Sequence, residues 1–346
     1  MKNISPLLVL IIVISTLILA IPSIVVSFGS KEKNITDILA SDLELPRNSI
    51  KDNISDTNPS SIAVSVYRDN SKKIEEFPLE EYVAGVVSSE MSPSFEFEAL
   101  KAQAIAARTY ILRLMLSDTK PGVGKGADVS DTQFHQVFKT KSELQGQWGD
   151  RYQTYISKIE DAVKATEGQI LTYNGQPIEA QYFSTGNGFT ENSEHYWKYP
   201  YPYLKSVESP WDKESPKYIQ QMKLNVKEFE TKLGVTVNNS APLVKVVSTT
   251  PGKRVGVVEI SGKEFTGKYI RETLGLASAD FTITKEGNRI VIQTKGNGHG
   301  VGMSQWGANG MAKEGYSYIE IINHYYPGVN IDSSESFADK LIVQRE

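Results

Sequence analysis

The sequence contains no cysteine, and that absence excludes disulfides, thiolate zinc sites and a cysteine nucleophile. It also leaves the redox compartment unreadable from disulfide usage. Histidine is scarce: His135, His195, His299 and His324 lie far apart and form no HExxH or H-x3-H pair, so no metal site is expected. Excess charge is missing too. The formal net charge is −4, with lysine and arginine dispersed among the acidic residues, which sets aside a nucleic-acid binder. Internal repeats and low-complexity tracts are absent. The glycine-rich segments match neither a dinucleotide loop nor a P-loop, and no cofactor is implied.

What is present starts with an apolar run. Ile4 to Ser30, ISPLLVLIIVISTLILAIPSIVVSFGS, carries no charge and is long enough to cross a hydrocarbon core of about 30 Å. A cleaved signal peptide would have a shorter apolar core and an A-x-A-like site, and Ser23 to Ser30 offers none. The pattern predicts one uncleaved transmembrane helix within residues 1–30. Lys2 favours an inside N-terminus, Lys31 and Lys33 blunt the asymmetry, and the bulk of the chain is expected outside the cytoplasm. Residues 31–60 are polar with little periodicity and read as a juxtamembrane linker. A folded domain is expected over 61–335 and a tail over 336–346.

The domain reads as α+β. SIAVSVYRDNSKKIEEF alternates on either side of Asp69-Asn70-Ser71, a hairpin pattern. Pro78 to Glu81 opens a helix with Leu79, Val83, Val86 and Val87 at helical spacing, and a second, alanine-rich helix is expected from Pro93 to Leu116. Asn174-Gly175 marks another hairpin, and VGVVEISGKEFTGKYI and FTITKEGNRIVIQTKG repeat that logic. Met303 to Lys313 and Tyr318 to Tyr326 read as two short helices. Hairpins and helices are grouped without sustained βαβ alternation, around a substrate cleft.

Three stretches could carry chemistry. In VVSSEMSPSFEFEALKAQAIAARTYIL, Glu90 stands where the first helix is expected to end. There its carboxylate would face the negative end of the helix dipole, and partial burial among Val87, Met91 and aromatics would raise its pKa further, as a general acid requires. Spacing alone also allows a solvated residue at a helix boundary, or one in the first turn of the next helix. Lys101, Gln103 and Arg108 bring polar ends into the alanine-rich helix, with Arg108 either paired to a carboxylate, lining a cleft, or exposed.

The second stretch is GNGHGVGMSQWGANGMAKEG, where Gly296, Gly298, Gly300 and Gly302 surround Asn297 and His299 and let the backbone approach a ligand. Ser304 lacks the G-x-S-x-G elbow of a nucleophile and fits a helix N-cap. His299 could orient a carboxylate, bond a sugar hydroxyl, or simply occupy a turn. In the third stretch, YFSTGNGFTENSEHYWKYPYPYLKSVESPWD, aromatics mix with hydroxyl and acidic side chains. That composition suits sugar binding or a surface loop, and Glu191, Glu194 and Glu208 are candidates for a second carboxylate.

Taken together, LEEYVAGVVSSEM, EALKAQAIAARTY, FSTGNGFTENSE, PYLKSVESPWD and GHGVGMSQWGANGMAKEGYSYIEIINHYYPGV resemble the stage II sporulation protein D family over roughly residues 60 to 335. The resemblance implies a peptidoglycan lytic transglycosylase of engulfment, acting on glycan strands stripped of peptide and leaving 1,6-anhydro-muramoyl ends. It implies stage II sporulation proteins P and M as partners, and Glu90 as the catalytic acid. Lys101, Gln103, Arg108, Ser184, His299 and Gln305 are the substrate-cleft candidates. Some relatives bind zinc with cysteine and histidine near DTQFHQVF; here Phe134 precedes His135 and cysteine is absent, so no metal site is carried over. Two rivals stay open: a glycan-binding activator of a partner amidase, and a hydrolase in which Asp131 or Glu191 activates water.

Overall fold

The structure, a computed structural model, describes residues 62–337 apart from 121, 125, 198 and 238–242. The expected anchor and linker and most of the expected tail lie outside these residues. Among the described residues, no helix is long and apolar enough to cross a membrane.

Strands β1 (Ala63–Arg68) and β2 (Lys73–Pro78) form the expected antiparallel hairpin. Helix α1 (Leu79–Glu90) follows directly, with Glu80 and Glu81 in its first turn, where acidic side chains complement the helix dipole. Helix α2 begins at Phe97 rather than Pro93 and runs to Met115 (Phe97–Met115). Pro93 disfavours a helical Ser92, and Ser92 to Phe95 instead make a turn closed by Phe95 N–H on Ser92 O, 3.0 Å. Ala99, Ala102, Ala104, Ala106 and Ala107 are fully enclosed. Their small side chains let other elements approach α2 closely, and enlarging one would cost about 1–3 kcal/mol in overpacking.

After the short strand β3 (Val129–Ser130), parallel to β1, come α3 (Lys141–Trp148) and α4 (Tyr152–Lys164). The Thr140 and Glu143 side chains form a capping box at the start of α3, and α4 buries Ile156, Ile159, Ala162 and Val163. Strands β4 (Gln169–Tyr173) and β5 (Gln176–Pro177) turn through Asn174 and Gly175, at φ 50° and 70°. Strand β6 (Tyr182–Phe183) and helix α5 (Ser193–Trp197) lead out of this region.

The next segment builds its own core. Strand β7 (Ile219–Asn225), α6 (Val226–Leu233), β8 (Val244–Thr249), β9 (Val255–Ile260), β10 (Lys263–Thr266), α7 (Gly267–Leu274), β11 (Phe281–Glu286) and β12 (Arg289–Lys295) make two three-stranded sheets, ordered β10-β9-β8 and β11-β12-β7. Phe229 and Ile270 of the helices and Val258, Ile290 and Ile292 of the sheets share one buried cluster. The chain then returns to the first core through β13 (Met303–Ser304), α8 (Gln305–Lys313), α9 (Tyr318–Tyr325) and β14 (Asn330–Ser333). Val83, Ala106, Ile170, Met303 and Tyr325 belong to that larger cluster. The class is α+β, as the grouping of hairpins and helices predicts. The two-residue parallel pairing of β13 with β6, Met303 with Tyr182 and Ser304 with Phe183, carries the C-terminal helices back to the end of α1.

Candidate active site

Glu90 is the last residue of α1, and Met91 turns to extended backbone behind it. A carboxylate at that point faces unpaired helix carbonyls, which disfavour its ionised form. Its side chain is half-buried, with Oε1 accepting the Val137 amide at 3.1 Å and Oε2 facing Gln305 Nε2 at 3.5 Å. Burial raises the pKa of Glu90 above the ordinary carboxylate value, and the two donors only partly offset it. The result is a carboxyl inclined to hold a proton, with two groups placed to stabilise the anion once the proton leaves.

The Val137 donor is positioned by its neighbour. Gln136 is buried, accepts the Tyr82 hydroxyl at 3.0 Å, and donates to the Tyr182 hydroxyl at 3.0 Å and to Ala107 O at 3.5 Å. It thereby ties the loop to α1, β6 and α2. Both tyrosines are held far above their usual pKa, first by burial and then in part by the Glu90 charge, so their hydroxyls stay protonated, Tyr82 donating to Gln136 and Tyr182 accepting from it. Upstream, Asp131 accepts the Asp69 amide at 3.0 Å and pairs with Arg68 Nε at 3.2 Å. His135 Nδ1 lies 2.8 Å from Ser130 Oγ. Among the described residues, no group of three histidine, aspartate or glutamate side chains could hold a metal.

On the opposite side, Gln305 opens α8 directly after Ser304, whose hydroxyl caps the helix by accepting the Gly307 amide at 3.2 Å. The N-cap reading of Ser304 agrees with this. Gly302, at φ 79°, leaves no room for a Cβ against the Gln181 carbonyl, so β13 can lie tight against β6. The same register sets Ser184 beside Gln305, and Ser184 O accepts the Trp306 amide at 3.1 Å.

His299 stands in the glycine loop, where Gly296, Gly298, Gly300 and Gly302 all have positive φ. Its ring is surrounded by Phe183, Tyr196 and Trp197, with centroids 5.7, 5.6 and 5.1 Å away. Nδ1 accepts the Val301 amide at 3.1 Å. Burial, with Arg271 and Arg254 nearby, pulls its pKa down to about 3, so it is a neutral packing and orienting group. The same stretch of β6 carries both the ring contact to His299, through Phe183, and the Tyr182 bond to Gln136.

Three expected cleft residues are placed elsewhere or enclosed. Arg108 is fully buried, bonding Glu80 through Nε at 2.8 Å and Nη2 at 2.5 Å, and donating to Gln169 O at 3.1 Å. Glu80 is ten residues before Glu90 on α1, about 15 Å along the axis at 1.5 Å per residue. The structure therefore corrects the cleft reading of Arg108 and favours carboxylate pairing: a buried guanidinium joins α1, α2 and β4. Lys101 pairs with Glu98 at 2.8 Å and lies 4.2 Å over the Tyr318 ring. Gln103 is fully enclosed, and its carboxamide makes no hydrogen bond among the described residues.

Three of the candidate second carboxylates, Glu191, Glu194 and Asp131, are paired. Glu191 is buried with Arg254, accepting the Thr250 hydroxyl and the Gly252 amide. Glu194 pairs with Lys205 at 3.0 Å, and Asp131 with Arg68. Glu208 is exposed, and Asp212 is a second buried carboxyl whose pKa burial also raises, accepting the Ser304 hydroxyl at 2.5 Å. Glu90 is the one set at the end of α1 between the Val137 and Gln305 donors. Sequence reasoning missed Val137, Tyr82 and Tyr182, because a backbone donor and buried hydroxyls leave no side-chain motif.

Residues 67–173, which contain Glu90 and Val137, match the stage II sporulation protein family model, SpoIID. Stage II sporulation protein D of Bacillus subtilis (strain 168) is 51% identical over 286 residues, 83% of this chain and 83% of that protein. Stage II sporulation protein D of Bacillus amyloliquefaciens is likewise 51% identical over 286 residues. An amidase enhancer of Bacillus subtilis (strain 168) is 32% identical over 306 residues, covering 72% of this chain and 40% of that one. With Glu90 at the end of α1 inside the matched segment, and half of all aligned positions identical along most of both chains, this protein belongs to the stage II sporulation protein D family.

Proposed function

We propose that the chain is a lytic transglycosylase that cleaves peptidoglycan glycan strands during sporulation, with Glu90 as its one acid and base. The observation that carries this reading is the environment of Glu90: half-buried at a helix C-terminus, inclined to keep its proton, with the Val137 amide and the Gln305 carboxamide placed on its two oxygens. Protonated Glu90 donates its proton to the glycosidic oxygen as the muramoyl C1–O bond breaks and an oxocarbenium-like centre forms. The Val137 amide and Gln305 then stabilise the carboxylate, which removes the proton from the muramoyl 6-hydroxyl as that oxygen closes on C1. The products are a 1,6-anhydro-muramoyl end and a free 4-hydroxyl, with no water consumed. Ordinary glycosidases need a second carboxylate as nucleophile or to activate water, and this route does not.

Residues 1–30 would anchor the enzyme, with the catalytic domain extracytoplasmic on the mother-cell side of the septal membrane. Peptide-stripped strands would be the substrate, and stage II sporulation proteins P and M the partners. The alternative, a glycan-binding activator of an amidase, draws on the similarity to a protein named as an amidase enhancer. The test incubates the purified chain and its Glu90→Gln variant with peptide-free glycan strands and reads the products by mass spectrometry. Anhydro ends from the parent alone support the acid. Reducing ends would mean hydrolysis, and absence of cleavage beside intact strand binding would favour the activator.

A further inference from the structure

The loop that reaches Glu90 also forms one wall of a cavity of about 530 Å³, which Tyr110, Arg113, Phe134, His135, Gln176 and Glu179 line. Val137, the Glu90 donor, lies three residues after Phe134, and the buried Gln136 between them fixes both. Tyr110 and Arg113, three apart on α2, share one face of that helix.

Phe134 is 64% exposed, yet its ring is held. Gly122 lies directly against it, at φ 80°, and a Cβ there would run into the ring. His135 meets it edge-on with centroids 4.7 Å apart. A large apolar ring held mostly in solvent recovers little of the free energy of burial, and its fixed flat face at the cavity wall is free to stack on a ligand ring. The Tyr110 hydroxyl, kept protonated by burial and by Glu179, has no hydrogen-bond partner among the described residues. Arg113 and Glu179 neutralise each other at 2.8 Å, Arg113 Nη1 donates to Pro177 O at 3.2 Å, and Glu179 Oε1 accepts Gln181 Nε2 at 2.7 Å. The cavity thus offers a flat aromatic face, donors and acceptors, and little net charge. An uncharged amino sugar matches that set better than a charged peptide does.

We infer that this cavity is a second sugar subsite for the same strand, with Phe134 under an N-acetylhexosamine ring and Tyr110 and the Arg113–Glu179 pair on its hydroxyl and acetamido groups. The inference rests on the glycan-cleaving reading above. Its test uses the full chain carrying Glu90→Gln, titrated calorimetrically with peptide-free glycan strands and, in parallel, with strands that keep their stem peptides. Adding Phe134→Ala weakens binding about tenfold, and adding Tyr110→Phe weakens it by roughly threefold, while the thermal unfolding of the Phe134→Ala chain is unchanged. If Glu90→Gln alone binds no strands, the glycan reading falls and takes the subsite with it. If it binds and Phe134→Ala binds equally well, only the subsite is overturned. Weakening confined to strands that still carry stem peptides would assign the cavity to peptide and overturn the sugar assignment.

Discussion

The Val137 amide donates to Glu90 Oε1 at 3.1 Å, so the acid is held between a helix end that disfavours its charge and a loop that supports it. Burial wins, and the folded pKa lies above the unfolded one. A raised carboxyl pKa means that folding favours the protonated form. Above the folded pKa, the ionised side chain therefore costs stability; below the unfolded pKa, it does not. Glu90→Gln keeps the shape and an oxygen for Val137 while removing the charge. The variant unfolds at higher denaturant concentration than the parent at pH 7, the difference vanishes below about pH 4, and anhydro-product formation is lost. Urea titrations at the two pH values check the sign.

Gln305 stabilises the anion that proton donation leaves behind, so Gln305→Ala pushes the Glu90 pKa further up. The variant loses about tenfold in rate, the worth of one hydrogen bond to a charged group. The descending basic limb of its pH–rate profile moves to higher pH. A limb that stays in place would mean that Gln305 acts on substrate binding and not on the acid.

Arg108 is a strut. Replacing it with methionine removes the ion pair with Glu80 and leaves Gln169 O without that donor. Glu80 is about a third exposed, so the carboxylate left behind is partly solvated and the loss is about 1–3 kcal/mol, mostly from the unpaired Gln169 carbonyl and the lost charge-assisted bonds. The measured outcome is a loss of stability of that size in denaturant titration, with KM for glycan strands unchanged in whatever fraction remains folded. A raised KM at full stability would return Arg108 to the cleft.

Much of this was legible in the sequence, and the legible parts share a cause. Asn174-Gly175 and Asp69-Asn70-Ser71 fix turns through local backbone preference, and the apolar spacing from Leu79 to Val87 fixes α1, which puts Glu90 at a helix end. Helix α2 starts four residues after Pro93, the first helical residue that the pattern predicts, because the backbone turns once more before Phe97. The second core was illegible as a unit, since its hairpins read singly and only long-range pairing of β7 with β12 separates them from the first. Val137 could not be found at all, because its contribution is a main-chain N–H common to nearly every residue. Lys101 and Gln103 illustrate the converse, polar side chains in an apolar helix whose partners lie within the protein or are not seen.

His299 gives the sharpest pH prediction. In the folded chain its pKa is near 3, against about 6.5 when unfolded, because burial and the neighbouring Arg271 and Arg254 disfavour a second proton. The unfolded chain therefore takes up a proton that the folded chain refuses as pH falls below about 6.5. Stability from this group is complete above that value and drains as pH falls toward 3, by on the order of 4 kcal/mol at most. Replacing His299 by glutamine, which has no proton to gain, leaves a shallower decline in unfolding free energy between pH 6.5 and 4 than the parent shows. Because the group stays neutral throughout the range where Glu90 would work, His299→Gln also leaves the inflections of the pH–rate profile in place, even if loss of the ring contacts with Phe183 and Trp197 lowers the rate. Parallel denaturant titrations of parent and variant, at half-unit steps from pH 4 to pH 7, measure the slope difference. Equal slopes would mean that the ring takes up its proton in the folded state and that the glycine loop opens to water on acidification.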